Sequence, residues 1–384
     1  MSDRGSVAAE ARTAGEPRHV DPEVGLLVGE AAQQRVPAER AEEGAPPYAV
    51  WDRSVAREER AAADTTYYDR PVIKEPVWIW TVPLYFHAGG AAGAAAVLGA
   101  VAQGVERRRL GRLVTRCRWM GAVGSALGSG LLISDLGRPE RFLNMLRVFR
   151  PTSPMSVGSW LLAGVGALSG ASAVLASSDG LLGRAGDAAA YGAGLLGMPL
   201  AGYTAVLISQ TAVPAWQEAR RSLPVVFMGS AMAAAASLLA LAPLGPREED
   251  AVRRFGMVGQ IASLAGMLAV EREVSRIERV GAPLRRGPVA ALWNAARAAE
   301  VAALLLSGFP GRSRPRRTAA ALLGTAAALG LRFAVFLLGR ASARDPRATF
   351  HQQRAGRGAA EVTGTAGVAS PAGDGGEAAT SAEG

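Results

Sequence analysis

From about residue 78 onward, charged side chains withdraw into short clusters. They leave stretches of roughly 20 almost wholly apolar residues, the length that crosses the hydrocarbon of a bilayer. The pattern predicts eight helices, at 78–103, 116–134, 157–177, 188–212, 224–243, 255–271, 290–308 and 318–339. The sixth is cut short by Glu271 and the seventh carries Arg297 and Glu300. Glycine recurs on these stretches, with Gly89, Gly90 and Gly93 in the first and Gly121, Gly124 and Gly128 in the second. Small residues at such spacing let membrane helices approach closely where no hydrophobic force drives them together. Trp78, Trp80, Trp119, Trp160, Trp216 and Trp293 all fall near predicted helix ends, where the membrane–water interface favours them. The expected fold is an all-α integral membrane protein: an eight-transmembrane-helix bundle over 71–349. Residues 1–70 and 350–384 have no sustained apolar period and are expected to be disordered tails.

Composition agrees with the pattern. The chain is 49% hydrophobic and only 20% charged, with mean hydropathy +0.15, which excludes a large soluble enzyme. Residues 1–70 hold nine Arg against fourteen Asp and Glu, a net of −5, whereas the whole chain is +9. The excess of arginine therefore lies in loops between apolar stretches, where it meets anionic lipid headgroups. The basic charge is read as contact with membrane lipid and not with nucleic acid. An even number of helices puts both tails on one face, called here the tail face. Arginines in the loops of the two faces number fourteen and eleven, too close a balance to orient the chain by its positive loops. No basic start followed by an apolar core marks a cleaved signal peptide. One cysteine and three histidines cannot build an iron–sulfur cluster, a disulfide framework or a haem held by two intramembrane histidines. No haem, iron–sulfur cluster or metal site is expected in this chain.

Candidate chemistry gathers toward the tail face. After Ser134 and Asp135, Gly137 can end the second helix and Pro139 can open a short one. There Phe142, Met145, Leu146 and Phe149 share one face, and Glu140, Asn144 and Arg147 another, as in a helix lying on the membrane surface. Asp135 and Arg138 then sit at the rim of the bundle, where a local cap and ion pair is the plainest reading. At 1.5 Å per residue, Tyr85 and His87 lie roughly 10–14 Å inside the tail face and Tyr203 roughly 15 Å inside it. A lone intramembrane histidine is usually a packing residue, and a buried tyrosine usually a core residue with its hydroxyl bonded. Their convergence with Asp135 and Arg138 is what suggests a site for a quinone headgroup, which needs hydrogen-bonding and proton-exchanging groups. Arg297 and Glu300 are spaced for an intrahelical pair. Arg332 is spaced to snorkel or to close a polar contact, and Cys117 to pack. No phosphate-binding glycine loop is found.

The run from Asp135-Leu136-Gly137-Arg138-Pro139-Glu140-Arg141-Phe142-Leu143-Asn144-Met145-Leu146 through Pro151-Thr152-Ser153-Pro154-Met155-Ser156-Val157-Gly158-Ser159-Trp160 resembles the NrfD/PsrC family of polysulphide reductase-type membrane subunits. Tyr67-Tyr68, Arg70-Pro71-Val72, Pro76-Val77-Trp78, Tyr203-Thr204, Thr211 to Trp216, Arg332-Phe333 and Ser342 to Pro346 extend the likeness over about 65–350. The resemblance implies a cofactor-free, eight-helix subunit, not catalytic alone, of a formate dehydrogenase- or polysulphide reductase-like complex in the plasma membrane. Such a subunit carries electrons between a ferredoxin-like iron–sulfur partner, itself attached to a molybdopterin catalytic subunit, and menaquinone or ubiquinone. On this reading Tyr85, His87 and Tyr203 bind quinone, and Asp135 and Arg138 form its rim and exchange protons. Arg141, Asn144, Arg147 and Trp216 dock the partner. Some relatives place a histidine where Ser134 stands and an acid where Gln210 stands. The helix-one histidine of the family falls at Tyr85 and its asparagine at Val82. The alternative is a purely structural membrane anchor. A secondary transporter is a distant third reading, without a detectable inverted repeat.

Overall fold

A computed structural model describes residues 73–136, 139–309, 313–346 and 348–349. Contacts divide the chain into two units, Met1–Asp64 and Thr65–Gly384, and every described residue lies in the second. The two expected tails lie outside the described residues. So do Tyr67, Tyr68, Gly137 and Arg138.

Ten helices and no strand occur among the described residues. They are α1 (Thr81–Asp135), α2 (Arg141–Asn144), α3 (Pro154–Val174), α4 (Gly180–Ser209), α5 (Pro214–Glu218), α6 (Leu223–Ala240), α7 (Pro246–Val274), α8 (Glu278–Arg285), α9 (Pro288–Gly308) and α10 (Arg314–Arg344). A 3-10 turn, Leu175–Ser177, follows α3. Six of the described helices (α1, α3, α4, α6, α9 and α10) are long and apolar enough to cross a membrane. The count falls below eight for two physical reasons. First, the stretches 78–103 and 116–134 belong to one element of 55 residues, broken only at Glu106, whose φ of −147° and ψ of 51° are non-helical. Secondly, α7 extends well beyond 255–271 into charged turns at both ends, so it is long enough but not apolar enough.

The break at Glu106 folds α1 back on itself. Cβ atoms built on its glycines give the register: Gly99 would meet Cys117, Gly124 would meet Ala92, and Gly128 would meet Tyr85. At the far end Asp135 returns to Ile79 and Thr81. The turn is made by Glu106-Arg107-Arg108-Arg109, too strongly charged to remain in hydrocarbon. The second arm therefore begins directly after Glu106, about ten residues before the expected 116.

Helix starts follow the local chemistry. Pro154, Pro246 and Pro288 occupy first-turn positions where no N–H is needed. Ser153 caps α3 by accepting from the Ser156 N–H at 3.4 Å. At α7 the Glu248 carboxylate accepts from Gly245 N–H at 2.8 Å and from Leu113 N–H at 3.0 Å, fastening this helix start to the second arm of α1. The surface helix expected after Pro139 is only four residues long, and the chain continues in turns to Arg150. Leu143, Val148, Phe149 and Met155 remain exposed there, as a segment at the lipid surface would have them.

The two arms of α1 pack with α3 and α4, whereas α6, α7, α9 and α10 make a second group. Helix α6 joins the groups by touching both α1 and α4. Near the tail face, Glu75 pairs with Arg340 and with Arg344, the latter at 2.7 Å, fixing the segment before α1 to the end of α10. Burial raises the Glu75 carboxyl above its ordinary pKa, and the Arg340 charge opposes that shift.

Candidate functional site: a tyrosine pair beside an apolar cavity

Tyr85 projects from the first arm of α1 and Tyr203 from α4, and their hydroxyls are hydrogen-bonded to one another. Gly158 makes room for the pair, and Gly128 is in ordinary contact with it. A Cβ at Gly158 on α3 would lie 1.8 Å from the Tyr203 ring, and one at Gly128 would lie 3.4 Å from the Tyr85 ring. Tyr85 is 2% exposed. The Tyr203 ring also lines a cavity of about 550 Å³, with Val157, Leu161, Met198, Gln210 and Met228 among its walls. Pro151, Thr152 and Pro154 close its rim, so part of the sequence run that carries the family resemblance is one side of this cavity.

The other expected members are distributed differently. Asp135 accepts from Thr81 Oγ1 at 3.3 Å and from Ile79 N–H at 3.4 Å, holding the two ends of α1 together. This is the plain capping role, at the end of α1 and one turn outward from Tyr85. Asp135→Ala is expected to cost about 0.5–2 kcal/mol, as loss of a capping side chain does, read as a lower unfolding midpoint of the chain in detergent. His87 lies two residues from Tyr85 and so points to the opposite side of the helix, about 200° away. It is buried and its Nδ1 has no partner among the described residues, so the structure does not bring it to the tyrosine pair. Arg138 and the side chain of Arg141 lie outside the described residues. Asn144 and Arg147 are exposed. Trp216 is not on the surface at all: it is 1% exposed and its Nε1 donates to Val335 O at 2.8 Å. A side chain enclosed by its own chain cannot present itself to a partner, which corrects the docking role. Trp293, also 1% exposed, is likewise interior, donating to Glu271 at 2.5 Å.

One further expectation changes. Arg297 pairs with Glu271 at 2.7 Å, not with Glu300. Glu300 instead accepts from Ser263 Oγ at 2.9 Å. Of the two roles expected of Arg332, it takes the polar contact: it is 1% exposed, donates to Phe227 O at 2.8 Å and lies over the Phe227 ring at 3.8 Å. Cys117 packs as expected, wholly buried with Leu98, Leu113 and Val114. One network has no counterpart in the sequence reading. Buried Arg118 donates to Asp187 at 2.7 Å, Gln103 at 2.8 Å and Ser172 O at 2.9 Å. Arg118 followed a run of loop arginines, and its partners on α3 and α4 are distant in sequence. Only its position inside an apolar stretch hinted at burial. Among the described residues no group of three or more His, Cys, Asp or Glu is placed to hold a metal ion.

Apolar helices of membrane-crossing length and a largely helical fold define the chain as a multi-pass integral membrane protein. More specifically, residues 72–178 match the family described as polysulphide reductase, NrfD. The matched segment contains both arms of α1, all of α3, and the 135–160 run on which the resemblance was read. No curated protein matches the chain.

Proposed function

We propose that the protein is a quinone- or quinol-interacting membrane subunit of a molybdopterin/iron–sulfur oxidoreductase complex. On this reading it lies in the plasma membrane and passes electrons between a partner's iron–sulfur subunit and menaquinone or ubiquinone. The cavity at Tyr203 is the observation that carries the proposal. Its volume of about 550 Å³ is in the range of pockets that take small organic ligands, roughly 300–1,000 Å³. Its walls are apolar apart from Gln210 and a few polar atoms, which suits a ring system arriving from lipid. The tyrosine pair at its edge supplies two hydroxyls on one hydrogen-bonded chain. Such a pair can donate to a quinone oxygen through Tyr203 while Tyr85 shares the remaining hydrogen bond. The polar side of the 141–147 stretch, with Asn144 and Arg147 exposed, lies on the same face and is the surface we assign to the partner.

Tyr203→Phe tests the reading, because it removes one hydroxyl and leaves the ring volume against Gly158 unchanged. The lost hydrogen bond is worth about 0.5–1.5 kcal/mol net, so a short-chain menaquinone or ubiquinone analogue should bind roughly 2- to 12-fold more weakly to the purified chain. Quinone-linked turnover of the assembled complex should fall, while dye reduction by the soluble partner persists. Binding of neither analogue to the unmodified chain would defeat the proposal.

The second reading, a structural anchor without quinone chemistry, draws on two observations. The Tyr203 hydroxyl already has a partner in Tyr85, and Asp135 is engaged at the start of α1. Under that reading Tyr203→Phe leaves turnover unchanged.

A further inference from the structure

A second cavity opens at the opposite end of the bundle, between α6, α7, α9 and α10, with a volume of about 510 Å³. Its mouth is polar: Glu249, Asp250, Arg253, Arg316 and Arg317 line it. Its walls descend past Ser237 and Ser307 to Gln260, close to the middle of α7. Ser263 is one turn deeper on the same helix face and is wholly buried. It donates to Glu300 of α9. Arg332 of α10 is buried near the middle of the same helix group, and its Nη2 is 3.4 Å from where a Cβ on Gly90 of α1 would stand. His87 is one turn from Gly90.

These side chains share an unusual property. Gln260 is 3% exposed, Glu300 1%, Arg332 1% and His87 9%. Yet Gln260 Oε1, Glu300 Oε1, Arg332 Nε and Nη1, and His87 Nδ1 all lack a hydrogen-bond partner among the described residues. Leaving such groups dry in an apolar interior is costly, and buried polar groups of this kind are ordinarily satisfied by water. Of the charged groups near Glu300, Arg332 on α10 acts on it electrostatically, and Arg297, one turn away on its own helix, is paired with Glu271 of α7. The facing part of α7 offers Gln260 and Ser263, and α6 offers Ser230 and Ser237.

We propose that the cavity continues inward as a hydrated inlet, past Gln260 and Ser263, giving Glu300 contact with the aqueous phase on the face opposite the tyrosine cavity. Water is the ligand of this site, and the inlet makes Glu300 a buried carboxyl able to exchange protons with that face. The inference stands apart from the quinone reading, since it involves a different cavity and neither tyrosine.

Silver ion, close to water in size and rapidly bound by thiols, is a suitable probe. The full chain in lipid nanodiscs, in chloride-free buffer, would carry Ser263→Cys, with consumption of the thiol measured after quenching. The native Cys117, wholly buried among apolar side chains, is the internal control. The Ser263→Cys thiol should react at least tenfold faster than Cys117, and adding Gln260→Leu should slow it severalfold. Ala303→Cys, one turn toward the cavity from Glu300 and equally buried, serves if Ser263→Cys does not fold. Reaction no faster than Cys117, or a rate indifferent to Gln260→Leu, overturns the inlet.

Discussion

Gly197→Leu is expected to force α1 and α4 apart and to be among the most damaging single changes in the protein. A Cβ at Gly197 would lie 2.4 Å from Gly93 O, and one at Gly93 would lie 2.5 Å from Gly197 O. Both obstacles are backbone oxygens, which cannot rotate away as the tip of a side chain can. Inserting atoms into a close-packed contact costs about 1–3 kcal/mol, and an obstruction by rigid backbone belongs at the upper end. Membrane helices associate through such close packing because lipid is as apolar as their own side chains. A gap opened here is therefore not offset by hydrophobic burial elsewhere. Tyr203 is six residues from Gly197 and Tyr85 eight from Gly93, so the separation also pulls at the hydroxyl contact between them. Unfolding midpoint and monodispersity of the purified chain measure the effect. Gly130→Leu and Gly170→Leu are the comparison, since nothing stands within 4 Å of a Cβ at either position. Equal stability of Gly197→Leu and Gly130→Leu would contradict the crossing.

What the sequence makes legible is what repeats along one helix. Apolar stretches set the positions of α3, α6, α9 and α10 to within a few residues of those observed, because hydropathy reports each helix separately. The meeting of Tyr85 and Tyr203 was also within reach, since depth below a common face can be counted from helix ends. Azimuth is harder. Counting depth alone groups His87 with Tyr85, although two residues on a helix point to opposite sides. The partners of ionisable residues are hard to read for a related reason. Arg297 and Glu300 are three apart, which favours pairing when nothing else is near, yet Glu271 and Ser263 on a neighbouring helix provide better partners. Arg118 and Asp187 are separated by 69 residues, and Leu113 and Glu248 by 135. No periodicity connects such positions. The break at Glu106 is shorter than its charged cluster suggests, because a single non-helical residue is enough to reverse the chain.

Trp216→Ala is expected to destabilise the isolated chain by about 3–5 kcal/mol, the usual cost of emptying a large aromatic site. Trp216 belongs to the five-residue helix α5 in the connection between α4 and α6, and it reaches inward. Its ring stacks on Trp78 with centroids 6.0 Å apart, and its N–H donates to Val335 O. Gly339 of α10 leaves the space it fills: a Cβ there would lie 2.0 Å from the indole. One side chain thus fastens the connection after α4 to α10 and to the segment before α1, at the end of the bundle nearest the tyrosine cavity. Gly339→Ala should reproduce part of the defect by pushing the indole out. Trp216→Phe should fall between, keeping most of the ring but leaving Val335 O without its indole donor. The readout is the unfolding midpoint in detergent with no partner present, which separates a core residue from a docking one. If Trp216 served docking, the isolated Trp216→Ala chain would be as stable as the unmodified chain and only association with the partner would weaken. Burial of all but 1% of the residue argues for the opposite result: the chain itself loses stability, and any loss of partner binding follows from that.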